Sequence, residues 1–162
     1  MLLERLGEDG DSPLYACHLA GSGGELPRFS FETPYFLCLI GGDFTKVPPG
    51  DLVPLISELL AGGACYFVCW GTGCESAHGL IDDILIGDER FSSEETVIMT
   101  TSHTDESIED ALFYLLCAAH PSEAYLDQAS AKLALLINQP DAFEVVSLAM
   151  MQPEEFVARL TA

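Results

Sequence analysis

The stretch Cys65-Tyr66-Phe67-Val68-Cys69-Trp70-Gly71-Thr72-Gly73-Cys74-Glu75-Ser76-Ala77-His78-Gly79-Leu80-Ile81-Asp82-Asp83 decides the fold class. Its first six residues favour a strand, and none is charged. A Gly-Thr-Gly turn follows, and beyond it Leu80, Ile81, Ile84 and Leu85 recur on one side of a helical pattern. A strand, a tight turn and a helix make the repeating half of an α/β fold. The turn places Cys74 and His78 at or near a helix N-terminus, where backbone N–H groups lack partners and the helix dipole is positive.

Working outward, Tyr35 to Ile40 is an unbroken apolar run between Pro34 and Gly41-Gly42-Asp43, the pattern of a strand buried on both faces. Pro48-Pro49-Gly50-Asp51 introduces a helix over about 52–61, closed by Gly62-Gly63. After an acidic link beyond Gly87, Thr96 to Thr101 predicts a third buried strand. Ser102 to Ser107 opens a helix that runs to about Ala119, and Thr104 with Ser107 and Glu106 supplies its cap. Strand and helix alternating three times predict a mostly parallel sheet covered on both faces, a three-layer α/β sandwich. Leu14 to Leu19 adds an edge strand, and Gly21-Ser22-Gly23-Gly24 reads as a flexible connector, not a phosphate loop.

The ends read differently. Residues 1–12 predict a flexible arm or frayed helix with a polar turn. Beyond Pro121 the pattern predicts helices only, at about 123–138, 140–151 and 153–160, so residues 122–162 form a helical extension of a single α/β domain. Ala131, Leu133, Leu135, Leu136 and Ile137 are apolar nearly all round that first helix, which suits core or a homodimer surface through the C-terminal helices.

Composition narrows the function classes. Six Lys and Arg stand against 26 Asp and Glu, a formal net charge of −20. Phosphate neutralisation needs clustered cations, and Arg5, Arg28, Lys46, Arg90, Lys132 and Arg159 are scattered, so nucleic acid and anionic membranes are excluded as expected partners. The acidity reads as plain solubility, attraction to a basic protein, or imitation of a nucleic-acid backbone. The acidic N-terminus does not read as a signal peptide, no apolar stretch reaches 18 residues, and six cysteines sit mostly in apolar runs; the chain is expected in the cytoplasm.

Ligands of an open parallel sheet bind beyond the carboxyl ends of its strands. Three turns are expected to meet there: 41–45, 70–75 and 100–105. Cys74 is the sharpest reactive candidate, a thiol at a helix N-terminus with His103 as its base, while the turn holds Trp70, Gly71, Thr72, Gly73, Thr101, Ser102 and Asp43 as ligand-binding candidates. A cysteine filling a tight turn and a histidine at a helix start are the commoner outcome. Cys69, Cys74, His78 and His103 have zinc-like stoichiometry but match no standard spacing, and Asp43, Asp82, Asp83 and Asp105 offer hard oxygens in a chain where acids are abundant. No metal and no cofactor is therefore assigned, and no Gly-x-Ser-x-Gly elbow is present.

Cys-Trp-Gly-x-x-Cys-x-x-x-His over Cys69–His78 and Thr-Thr-x-His-x-x-Glu-Ser-x-Glu-x-Ala over Thr100–Ala111 resemble an uncharacterised bacterial domain family of unknown function. The resemblance spans about 66–120. It implies no activity, only that the two turns belong to one site. The leading expectation is a non-catalytic, acidic, immunity- or inhibitor-like module for a basic protein. The alternative is a small hydrolase or thiol-dependent enzyme using Cys74 and His103, and a third class is an oligomeric component.

Overall fold

In the computed structural model, which describes residues 3–21 and 23–162, the apolar run after Pro34 becomes β3 (Phe36–Gly42) and the run before Gly71 becomes β4 (Ala64–Trp70). Every β3 residue is buried, as a strand covered on both faces requires. Between them, α1 (Pro49–Ala61) starts on Pro49, whose missing N–H would have been unpaired in any case, and buries Leu52, Leu55, Ile56 and Leu59 at helical spacing. Gly63, not Gly62, takes the left-handed turn, at φ +105, and a Cβ there would lie 2.1 Å from the Pro34 carbonyl oxygen. After β4, α2 (Cys74–Ile86) buries Cys74, Ala77, Ile81 and Leu85.

The sheet has six strands in the order β1-β2-β6-β3-β4-β5, parallel except for the β1–β2 hairpin. Four expectations need correction. The arm is instead β1 (Leu3–Asp9), which pairs with β2 (Ser12–Leu19) around a two-residue loop. Gly10 occupies the first loop position at φ +61, where a II′ turn takes glycine. Met1, Leu2 and Ser22 of the connector lie outside the described residues. Secondly, β2 is not an edge strand, because β1 covers one side and β6 the other. Thirdly, β5 (Met99–His103) starts three residues later than expected and is the sheet's outer strand, with Met99 and Ser102 exposed.

The largest correction concerns the expected helix at 123–138. It divides into a 3-10 turn (Glu123–Gln128) and β6 (Ala131–Ile137), inserted between β2 and β3 at the centre of the sheet. Residues 122–162 are therefore no appendage. The apolarity of Ala131 to Ile137 belongs to the core, and the argument for a dimer surface on them falls. The C-terminal helices remain: α4 (Pro140–Met151) and α5 (Pro153–Thr161).

The chain steps outward from β3 to β4 to β5, then returns through α3 (Ile108–Cys117) across two strands to β6. Right-handed crossovers put α1 and α2 on one face and α3 on the other, where it packs against α4. The architecture is an α/β sandwich with a mostly parallel sheet and C-terminal helices. Two neighbouring strand pairs now send their following helices to opposite faces: β4 with β5, and β6 with β3. Such switch points open crevices at the carboxyl edge.

Candidate ligand crevice

The Trp70-Gly-Thr-Gly73 turn leaves β4 because only glycine fits its path. Gly71 has φ +110, and a Cβ there would stand 2.0 Å from the Gly42 carbonyl oxygen; Gly73 has φ +73 and starts α2 with no side-chain cap. Phe44 N–H donates to the Thr72 carbonyl at 2.8 Å, locking the β3 and β4 turns together. Gly41 is equally constrained, since a Cβ would meet Trp70 Cε3 at 2.9 Å and Leu136 Cδ2 at 2.7 Å. Two strand ends are thus held in backbone contact.

Beside this locked pair, the β4–β5 switch point opens into a cleft of about 300 Å³. Gly71, Thr72 and Gly73 form one side, and His103, Asp105 and Glu106 the other, with Trp70, Gly42 and Gln139 completing it. Trp70 Nε1–H donates to the Glu106 carbonyl at 2.8 Å, so the indole joins the two walls. The β6–β3 switch point opens a neighbouring recess of about 220 Å³, which includes Asp43, Lys46 and Asn138, and Gln139 borders both.

His103 is 6% exposed. Its Nε2 lies 2.9 Å from Thr101 Oγ1, and its Nδ1 is 2.8 Å from Glu106 Oε2. That second contact is an ion-pair distance without hydrogen-bond alignment, so Nδ1 is buried with no aligned partner. Cys74 is 1% exposed, and its Sγ sits 3.6 Å from Thr104 Oγ1. The expected thiol–imidazole pair is not assembled: each group has another neighbour, and the thiol has no open side. Thr104 does not cap α3 either. Ser107 Oγ accepts the Asp110 N–H at 3.1 Å, while the Thr104 hydroxyl donates to Glu75 Oε1 at 3.1 Å.

The other candidates disperse. His78 points to β5, where its Nε2 is 3.0 Å from Thr100 Oγ1; the Thr100 hydroxyl in turn donates to Asp82 Oδ1 at 2.6 Å. Cys69 is buried in its strand, and burial first, then Cys74 and Asp82, hold its thiol far above the ordinary range. Asp43 belongs to the recess, accepting from the Thr45 hydroxyl and N–H and standing 3.7 Å from Lys46 Nζ; these contacts, the hydroxyl foremost, lower its pKa. Thr101 sits behind His103, and Ser102 is exposed on β5 away from the cleft lining. Among the described residues no group of three or more His, Cys, Asp and Glu side chains is gathered to hold a metal ion.

Glu106 and Gln139 line the cleft although the sequence offers neither as a ligand-binding residue, and Asp105 lines it as well, a residue the sequence offers only as a hard oxygen. For Glu106 a signal existed, its i,i+3 spacing from His103. For Gln139 there was none once β6 had been taken for helix.

The cleft and, but for Ser12 and Pro13 of β2, all five parallel strands lie within residues 14–142, the span matched by the model of a family described as a domain of unknown function, DUF7684. The chain belongs to this family. The DUF7684 match runs from the start of β2 into α4 and leaves out β1 and α5, so the family's shared part is the parallel sheet with its carboxyl-edge turns. The resemblance over 66–120 lies inside it. No curated protein and no solved structure matches the chain.

Proposed function

We propose that the chain is a non-catalytic binding module for a basic protein, with the carboxyl edge of the sheet as its recognition surface. The observation that carries this reading is how the few cations are used. Arg5 pairs with Glu8 and Glu32, Arg90 with Asp88 and Lys46 with Asp43, while Lys132 Nζ donates to the Leu116 carbonyl. With 26 acids in the chain, most carboxylates have no cation to answer them. Asp105 and Glu106, both exposed, line the β4–β5 cleft, and the exposed Glu75 accepts from the Thr104 hydroxyl of the same lining. A basic surface would meet this edge with complementary potential, fast association and steep salt dependence. Six unpaired cysteines fit a reducing, cytoplasmic setting for the module.

The test compares the protein with a variant carrying Glu75→Gln, Asp105→Asn and Glu106→Gln. Immobilised wild-type protein should retain basic proteins at low ionic strength and release them as salt rises, and the variant should retain far less. Equal retention by the variant, or capture indifferent to salt, overturns the reading in favour of acidity serving solubility alone.

A further inference from the structure

The geometry points to a single occupant of the β4–β5 cleft: the guanidinium of an arginine side chain from the basic partner. This rests on the binding reading above and names the group recognised there.

Two fields compete in the cleft. The N-terminus of α2 has no side-chain cap, and although the Cys74 and Ser76 N–H groups bond the Gly71 and Gly73 carbonyls, its dipole is equivalent to about half a positive charge. Two full carboxylates, Asp105 and Glu106, line the cleft, with Glu75 bonded to the Thr104 hydroxyl of the same lining, and they outweigh it several-fold. Net attraction is for a cation, and an anion is repelled.

An acidic rim alone would not define a site; His103 does. It is more than nine-tenths buried, borders the cleft, and has no aligned hydrogen bond at Nδ1, although the Glu106 carboxylate lies 2.8 Å away. A buried nitrogen in that state costs free energy unless a partner arrives. The Glu106 main chain is fixed by the 2.8 Å bond from Trp70 Nε1, while its side chain is 41% exposed and makes the unaligned contact with His103 Nδ1. The carboxylate is therefore free to swing to an incoming donor while the loop stays in place. In the tautomer whose Nε2–H donates to Thr101 Oγ1, Nδ1 is an acceptor facing the Glu106 carboxylate. A group with several N–H donors in one plane then gives one to Nδ1 and others to Glu106 and Asp105, with the Trp70 indole beside it.

Guanidinium meets these conditions better than ammonium. It is flat, less strongly hydrated, stacks on an indole, and presents a fork matched to carboxylates. The volume of about 300 Å³ suits one side chain, not a folded segment.

Trp70 is the chain's only tryptophan, so fluorescence excited beyond the absorption of the five tyrosines reports on this cleft. Titration with N-acetyl-arginine amide should give a saturable change in emission. The neutral isostere N-acetyl-citrulline amide should give none, and N-acetyl-lysine amide should bind more weakly. Glu106→Gln, checked for an unchanged melting profile, should weaken arginine-amide binding by about tenfold or more, the scale of a lost charge-assisted hydrogen bond. A second readout follows the His103 ring nitrogens by NMR, which should shift with arginine amide and stay fixed with citrulline amide. An equal response to arginine and citrulline amides, or none to either, overturns the inference. If basic proteins are still captured salt-dependently in that case, the binding reading stands and only the arginine pocket falls. Tighter binding of free L-arginine, whose α-carboxylate the rim repels, would assign the cleft to a small molecule and overturn the partner's side chain as occupant.

Discussion

Cys74 shows how a reactive-looking position is closed off by burial. It opens α2, but the α2 residues that are buried are Cys74, Ala77, Ile81 and Leu85, so the same periodicity that builds the helix buries the thiol. Cys17, Cys38, Cys65 and Cys69 are strand residues, and burial pushes the Cys17 thiol up to about 11 and Cys65 to about 12. Cys117 is exposed; burial of its sulfur and the nearby Asp9 raise its pKa. Alkylation of the native protein followed by mass spectrometry should therefore label Cys117 first, faster as pH rises, with the other five protected until the protein unfolds. Rapid labelling of Cys74 at neutral pH would revive the thiol-enzyme reading. The residue types around the cleft were legible in the sequence, because they cluster in turns after apolar strands. The pairing was not. Spacing gave Cys74 no reason to choose Thr104, 30 residues away, and the i,i+3 offset of Glu106 was the one cue for His103.

Among the elements, the legible ones have a single reading. Phe36 to Ile40 and Cys65 to Trp70 are β-rich runs bounded by glycine and proline, too short for a helix. β6 escaped because a strand buried on both faces loses its alternation, and Ala-Lys-Leu-Ala-Leu-Leu-Ile is built mostly of strong helix formers. β1 escaped for the opposite reason: its Glu4, Arg5 and Glu8 are exposed on an outer strand that charge keeps from pairing further. The position of β6 makes a direct prediction. A chain ending at residue 122 should be unfolded by far-UV circular dichroism, because β2 and β3 lose the strand between them, while one ending at residue 152 should keep the sheet and lose stability. Native hydrogen exchange should likewise be slowest in β6 and β3 and fastest in β1 and β5. A folded 1–122 fragment would contradict the observed strand order.

At the scale of the whole molecule, a net charge of −20 opposes the compact state, and salt relieves it. At pH 7 the melting temperature should rise as ionic strength goes from about 10 mM to about 200 mM, the range over which the Debye length contracts from about 30 Å to under 10 Å. The acid limb has the opposite origin. Glu32, bonded by the Tyr15 hydroxyl, Asp43, bonded by the Thr45 hydroxyl, and Asp88, bonded by Arg90, all have pKa values lowered by folding. Their contribution is present above the unfolded carboxylate pKa of about 4 and is lost as pH falls through the lower folded values. All three are near the surface, so each adds little. Calorimetry should show salt stabilisation fading as pH approaches about 4, where the net charge vanishes, and stability falling below it. A melting temperature that drops with salt at pH 7 would mean that specific ion pairs outweigh the overall repulsion.

The contact between Gly71 and the Gly42 carbonyl separates the shape of the cleft from its chemistry. The depth of the cleft is set by main chain meeting main chain, so its shape survives changes in nearly every side chain that faces into it. Exchange of Thr72, Asp105 or Glu106 therefore changes the chemistry lining the socket without rebuilding it.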